Sequence, residues 1–389
     1  MDAETLAIAI AIMKRRSKMR SELNNIDAVA NLAASGKILE VMDIGDKINP
    51  EWKYGNDFYA PEFNLCHTGT GQLENGTIIN GAYFEWNLTT PDNEPFDERE
   101  ALYYFDGTEE AGTYHIGIGK NYGAGWLASK SIQFTLTAAP DNGDQLVIDC
   151  DANNVDPTSS KAWKVYGAGG TTVKQSGTTS NGTGGTSLGT TSTIDEHHTN
   201  GRVNAISRSC YGYDRWSQSS LRQRLNSAES AGNWWTMQNP WDRPPAIAAT
   251  LDGFLKGYGE DVYKYFKPIK HVTVACNADG NVEDITYDRV FLASLEQMYC
   301  EPQFSGKEGE AWEYYKRLLG RTTPAPTSKT YKRLIKYALN APTAAQYWFR
   351  RSANRGNASG VWYVYGAGYV NGGNARSAYR CAPGVFLSK

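Results

Sequence analysis

Apolar positions between residues 45 and 154 recur in short runs, at 83–88, 102–105, 112–118, 131–136 and 145–148, separated by N-G, D-N-G and P-D-N signals. Runs of that length between turn residues predict strands of an antiparallel sheet. The first 24 residues differ. Leu6, Ile8, Ile10 and Ile12 alternate as a strand would, but the intervening alanines favour a helix over 3–24. Acidic residues at its start and Lys14, Arg15, Arg16 and Lys18 further on suit a helix macrodipole. From about residue 200 both periods occur. W-S-Q-S-S-L-R-Q-R-L-N (216–226) predicts a helix capped by Ser217 or Ser219. Tyr331, Leu334, Ile335, Ala338 and Leu339 fall at i, i+3, i+4, i+7 and i+8, predicting an amphipathic helix. Residues 272–276 and 290–295 read as short strands or buried segments, and 362–370 as a hairpin turning near Ala367-Gly368.

These patterns predict an α+β chain in four parts: a helical attachment or oligomerisation segment (1–40), a β-rich domain (41–160), a connecting stretch (161–199) and a ligand-binding domain (200–389). In the connecting stretch, 18 of residues 171–193 are Gly, Ser or Thr. That composition suits a flexible linker or an exposed hairpin with Asn181-Gly182 near its tip.

Composition narrows the function classes. The 389 residues carry a net charge of −3 and 12% aromatics, so no basic face for nucleic acid or anionic membrane is expected. Leu6 to Met13 is too short to span a bilayer, and its acid-before, base-after order is the reverse of a classical signal peptide. Six cysteines stand singly without a CxxC, which reads as buried thiols. Asp97, Glu98, Glu100, Glu109 and Glu110 lie in turn-like context and read as solvated loop residues; D-E-H-H (195–198) has no fixed geometry for a metal. No catalytic residue, metal or cofactor is expected.

The last 42 residues before Lys389 hold the strongest signal. From 347 to 388 there is no Lys, Glu, Gln or Met, although those types number 56 in the first 346 residues, a rate that puts about seven in such a window. Across 354–380, Gly, Tyr, Asn, Arg and Ser make up 19 of 27 residues. Tyr gives a large amphipathic contact surface at low entropic cost, and Ser, Gly and Asn give adaptable hydrogen bonding. Alternation along the hairpin puts Trp362, Val364 and Val370 on a face expected to be buried. It puts Tyr363, Tyr365, Tyr369 and Asn371 on the other, expected to be exposed.

The stretch from Gln346 to Leu387 combines an aromatic start, R-S-A (351–353), V-x-x-x-G-x-V (364–370), an Asn-rich run and a closing R-C-A-P-G (380–384). It resembles the variable region of proteins diversified by diversity-generating retroelements. Y-G-Y-D-R-W-S-Q-S-S-L-R-Q-R-L-N-S (211–227) and I-T-Y-D-R-V-F-L-A-S-L-E-Q-M-Y (285–299) look like other parts of the C-type-lectin-fold domains of such proteins, whose fold is shared with formylglycine-generating enzymes. The resemblance covers about residues 200–389, with the variable region at 347–389. It implies replacement of template adenines in Asn codons, which never yields Lys, Glu, Gln, Met or Trp. Trp348 and Trp362 are then fixed positions. It further implies a phage or prophage tail receptor-binding protein on the virion, or otherwise at an extracellular surface. Such a protein is a homotrimer, held to tail or baseplate components through its N-terminus, and grips a host cell-surface protein or glycan receptor.

The ligand-binding positions expected under this reading are Arg355, Asn357, Ser359, Tyr363, Tyr365 and Tyr369, followed by Asn371, Gly373, Asn374, Arg376, Ser377 and Tyr379. A bacterial surface adhesin with the same variable domain is the main alternative. A calcium-dependent lectin would need ligand triplets of which Gln238-Asn239-Pro240 is only an echo. A formylglycine-generating-type oxidase would need a pair of cysteines, whereas Cys381 stands alone in its segment.

Overall fold

The computed structural model describes residues 25–98, 101–118, 130–148, 160, 162–168, 172–191, 212–238, 242–303, 307–357 and 359–389. The helix expected over 3–24, the D-E-H-H at 195–198, Glu100, Cys150 and Cys210 lie outside these residues. The described chain is α+β, mostly short sheets with few helices.

The larger core is built from both ends of the chain. Its five-stranded antiparallel sheet runs Lys47–Ile48, Phe63–Gln72, Ile78–Trp86, Gly384–Leu387, Val290–Phe291, so the last strand lies between strands some 300 and 90 positions earlier. Val29 and Ala30 of the helix Ile26–Ala34, Phe84 and Trp86, Leu221 and Leu225, and Phe386 and Leu387 belong to one buried cluster. The helix is capped by Asn25, whose side chain accepts from the Asp27 N–H.

A second core lies between residues 101 and 191. One four-stranded sheet runs Val173–Thr178, Ala162–Tyr166, Gln145–Ile148, Ala101–Tyr104; another runs Ser180–Asn181, Lys130–Leu136, Gly112–Ile118, Thr186–Thr191. Ile116 and Phe134 from one sheet pack with Leu146, Trp163 and Val165 from the other, which makes the unit a sandwich. The sequence expectation of a β-rich domain over 41–160 beside a separate domain from 200 is therefore redrawn: residues 26–98 share a core with 212–389, and the 101–191 sandwich is inserted between them. Alternation reports that a strand exists and which face is apolar, but says nothing about a partner hundreds of residues away.

Other expectations divide. Trp216–Gln218 forms a 3-10 turn and Ser220–Leu225 a helix whose N-cap is Ser219, its hydroxyl accepting from the Arg222 N–H. Residues 331–339 do not form a helix; a short 3-10 turn, Lys332–Leu334, leads into the strand Lys336–Ala338, paired with Ala341–Gln346. Leu334 and Ala338 are buried as the pattern demanded, yet so is Lys336, which a helix would have left on its polar face. Tertiary pairing explains the change. Lys336 Nζ lies 3.3 Å from Glu85 and donates to the Trp86 carbonyl, and Arg350 donates to the same Glu85 at 2.8 Å. Tyr315 donates to Glu85 as well. Glu85 is thus a buried carboxylate met by two cations and a phenol, the paired arrangement a buried charge requires. Asp97 and Glu109, expected in solvated loops, are also buried: Asp97 accepts from the Ser220 N–H at 3.2 Å and Glu109 from the Tyr103 hydroxyl at 2.8 Å.

The Gly/Ser/Thr stretch is neither linker nor two-stranded hairpin. Its strands pair separately, Val173–Thr178 with Ala162–Tyr166, Ser180–Asn181 with Lys130–Leu136, and Thr186–Thr191 in parallel with Gly112–Ile118. No helix among the described residues is long and apolar enough to cross a membrane.

Candidate functional site

The C-terminal hairpin forms as its sequence predicts. Gly360–Val364 and Val370–Asn374 pair antiparallel, and the connection is closed by Gly368 N–H to Tyr365 O and Tyr365 N–H to Tyr369 O. Gly368 has φ +90°, and a Cβ there would stand 2.4 Å from the Tyr331 carbonyl oxygen, so a glycine is required. Trp348–Ala353 pairs with the first hairpin strand, and Arg380–Cys381 lies parallel beyond it, completing a four-stranded sheet.

Register decides what shares a face. Phe349 is opposite Tyr363, Tyr363 opposite Asn371, and Trp348 opposite both Val364 and Arg380. Tyr347, Tyr363, Tyr365, Tyr369 and Tyr379 therefore gather on one side. Ring centroids are 4.2 Å apart for Tyr347 and Tyr365, 4.6 Å for Tyr365 and Tyr369, 4.7 Å for Tyr363 and Tyr379, and 5.3 Å for Tyr347 and Tyr379. Phe349 closes the base of the cluster, 5.1 Å from Tyr379. Such contacts fix the rings relative to one another. On the reverse side Trp348, Val364 and Val370 are buried, with Lys336 and Arg350 over the Trp348 ring at 5.0 and 4.4 Å.

Exposure within the tyrosine face is graded. Tyr365, Tyr369 and Tyr379 are half-buried and Asn371 is exposed. Tyr363, expected to be exposed, is 5% exposed: it lies under Tyr379 and takes a hydrogen bond from Asn371 Nδ2 at 3.2 Å. Trp362, expected to be buried, is half-buried. Strict alternation gives the side of the sheet; it does not tell how much covers either side. The hydrogen bond with Tyr365 raises the Tyr347 phenol above its ordinary value, and burial raises Tyr363 to about 12. Both stay protonated at neutral pH.

The remaining expected positions sit at the other end of the sheet. Arg355 is exposed and donates from Nε to Asn277 Oδ1 at 3.1 Å, while the Asn277 N–H donates to the Arg355 carbonyl at 2.9 Å. Asn357, partly buried, accepts from the Ser359 N–H and hydroxyl at 3.1 and 2.9 Å, and Ser359 is buried. Asn374, Arg376 and Ser377 are partly buried around a turn in which the Ser377 N–H donates to the Asn374 carbonyl at 3.0 Å. Gly373 lies flat under Tyr363, where a Cβ would come within 2.7 Å of the ring, so side chains there require the ring to move. The twelve positions thus form a tyrosine patch at the hairpin turn and a polar loop patch at the opposite end.

Tyr347 and Phe349 join this cluster although neither was among the expected positions; Phe349 is in register with Tyr363 across the sheet, and Tyr347, two positions earlier, meets the Tyr365 ring. The inserted sandwich roots beside the loop patch: the N–H groups of Phe96 and Asp97 donate to the Ala375 carbonyl, and Gly212 packs where a Cβ would stand 2.7 Å from Arg376 N.

Of the described cysteines, Cys66, Cys300 and Cys381 are free and buried, as expected, and Cys276 is buried. Cys381 faces Thr90 and Glu94, and burial pushes its thiol well up, the opposite of an activated thiolate. One buried trio, Asp214, Cys276 and Asp279, has ligand-type atoms within 4.8 Å of one another. Asp279 Oδ2 accepts from the Tyr213 hydroxyl at 2.8 Å and from the Cys276 thiol at 3.5 Å. Of the lectin-like triplet only Gln238 is described, its N–H bonded to Asp242 at 2.8 Å.

A protein-family model for a domain of unknown function, DUF6273, matches residues 190–387. No curated protein and no solved structure matches the chain. The matched stretch contains the whole four-stranded hairpin sheet, but not the strands Phe63–Gln72 and Ile78–Trp86 that complete its core.

Proposed function

The chain belongs to the DUF6273 family, and we propose that it is a retroelement-diversified receptor-binding protein whose ligand contacts the tyrosine face of the C-terminal hairpin sheet. The observation that carries this reading is a coincidence of two independent patterns. The stretch that lacks Lys, Glu, Gln and Met is the same stretch that folds into a sheet with one side locked into the core and the other presenting stacked tyrosines. Diversification needs such a division, because exposed positions away from special features shift stability by only about 0.5 kcal/mol when replaced.

Under this reading the larger domain is a C-type-lectin-type scaffold, and the protein works at a phage or prophage tail tip as a homotrimer, joined to tail components through its N-terminal segment. Tyr365, Tyr369, Tyr379 and Asn371 supply the contact surface, Tyr347 and Tyr363 hold the rings in place, and the Arg355 and Arg376 loops provide a second patch. The partner is a host-surface protein or glycan. Weak single-site affinity rises through the three copies.

The neighbouring DNA tests the origin of the segment. The proposal expects a reverse transcriptase gene and a near-copy of the codons for about residues 347–389. A locus with neither, in several relatives of this chain, contradicts it.

A further inference from the structure

The net charge of −3 averages over a segregation that bears on the tyrosine face. All 42 Asp and Glu lie within the first 313 residues, with 26 of the 39 Lys and Arg; the last 76 residues hold the other 13 cations and no carboxylate side chain. Diversification does not account for this. Asp is one base change from Asn, and the acid-free stretch begins 33 residues before the one that lacks Lys, Glu, Gln and Met.

The fold sorts these cations. Lys336 and Arg350 meet Glu85 in the core, and Arg317 and Lys389 pair with Glu313 and Asp27 at 3.1 and 3.4 Å. Four others come to the rim of the tyrosine face, at the hairpin turn. The Tyr331 N–H donates to the Gly368 carbonyl at 2.7 Å and Thr330 bridges Tyr369, so residues 329–331 are tied along that turn. Lys329, Lys332 and Arg333 are exposed, and the Arg321 guanidinium lies 5.9 Å from the Tyr331 ring centroid. Arg321 and Arg333 give their hydrogen bonds to neutral oxygens of Thr323 and Leu318. None of the four forms an ion pair among the described residues. Against them stand Glu313, held by Arg317, and the exposed Glu301, whose N–H donates to the Ala325 carbonyl.

Charges around the rim of a contact surface steer association and select a partner of opposite sign. The centre of the surface narrows the partner further. Tyr365 and Tyr369 are stacked at 20° with centroids 4.6 Å apart, and Tyr347 lies 4.2 Å from Tyr365, so the rings fill the space between one another. That leaves no slot for an inserted side chain of the kind that anchors protein interfaces, nor a free ring for each base of a nucleic acid. A sugar needs neither: its C–H surface rests on the outer sides of the rings, and its hydroxyls meet the phenols and Asn371.

We propose that the receptor gripped by this face is an acidic polysaccharide, its sugars resting on Tyr365, Tyr369 and Tyr379 and its carboxylates or phosphates drawn by Lys329, Lys332 and Arg333. This rests on the receptor-binding reading above and narrows its ligand to one class.

Biolayer interferometry on the full chain at low salt tests this with alginate, a polyuronate, and a glucosylated teichoic acid, a polyphosphodiester. At least one should bind saturably, at least about tenfold tighter than neutral dextran, and weaken as salt is added; the tighter of the two tells carboxylate from phosphate. Poly-L-glutamate and single-stranded DNA, acidic chains of the competing classes, should bind at least about tenfold more weakly than the preferred glycan. Lys329→Glu with Lys332→Glu, both exposed, should keep the melting transition and weaken glycan binding about tenfold. Tyr365→Ala should weaken it by a similar factor. Failure of both glycans to bind, equal binding of dextran, poly-L-glutamate or DNA, or full affinity in the folded charge-reversal variant or in Tyr365→Ala overturns the proposal. The receptor-binding reading would survive such a result, because the neighbouring reverse transcriptase gene that tests it does not depend on the charge of the ligand.

Discussion

Two glycine-rich, charge-poor stretches of this chain have come to opposite ends. Residues 172–191 lie on the inserted sandwich, and in the strand Val173–Thr178 every side chain is exposed or half-buried. The strand Gly360–Val364 is buried at four of five positions. Glycine content does not separate them. What separates them is an apolar reverse face: Val364 and Val370 enter the large core beside Trp348, while the strand Val173–Thr178 leaves most of its side chains in water. A diversified surface needs the first kind of support, since the side chains that vary contribute nothing dependable to folding.

That contrast makes its largest prediction at Glu85. Glu85→Ala strands Lys336 and Arg350 as buried unpaired cations beneath the hairpin sheet and should cost about 3–5 kcal/mol in chemical denaturation. Trp348→Ala, removing the fully buried ring between those cations, should also cost about 3–5 kcal/mol. A loss below about 1 kcal/mol in either variant would show that the reverse face is not what holds the sheet. Next in size come Tyr365→Ala and Tyr369→Ala. Each should cost on the order of 1–3 kcal/mol of receptor affinity, with a smaller change in stability because both rings are half-buried. Unfolding with affinity intact would reverse the assignment of the two faces. The smallest effect belongs to the other stretch: Ser176→Lys should shift stability by no more than about 0.5 kcal/mol.

Local signals in the sequence were reliable where the interaction itself was local. The hairpin turn was legible because Gly368 must take a positive φ, and the tyrosine face because a strand alternates with period two. Ser219 was legible as a cap because a cap bonds within three residues. The expected helix over 331–339 failed because its apolar spacing suits two conformations, and a buried lysine paired to a glutamate 251 positions earlier selected the strand. Distance in sequence also hid the sharing of one core by residues 26–98 and 212–389. Gly373 and Ser359 were chosen by residue type, yet exposure is decided by what lies above each position, Tyr363 over the glycine and the Asn357 turn around the serine.

The most direct measurement is the sequence of this locus in many related isolates. Changes should gather at Tyr365, Tyr369, Asn371 and Tyr379, with Arg355, Asn357, Asn374, Arg376 and Ser377 also varying, and fewer at the buried Tyr363 and Ser359 and at Gly373. Trp348, Trp362, Val364, Val370 and everything before residue 347 should stay constant, and new residues should almost never be Lys, Glu, Gln, Met or Trp. Substitutions spread evenly along the chain, or Lys and Glu entering the tyrosine face freely, would contradict the account.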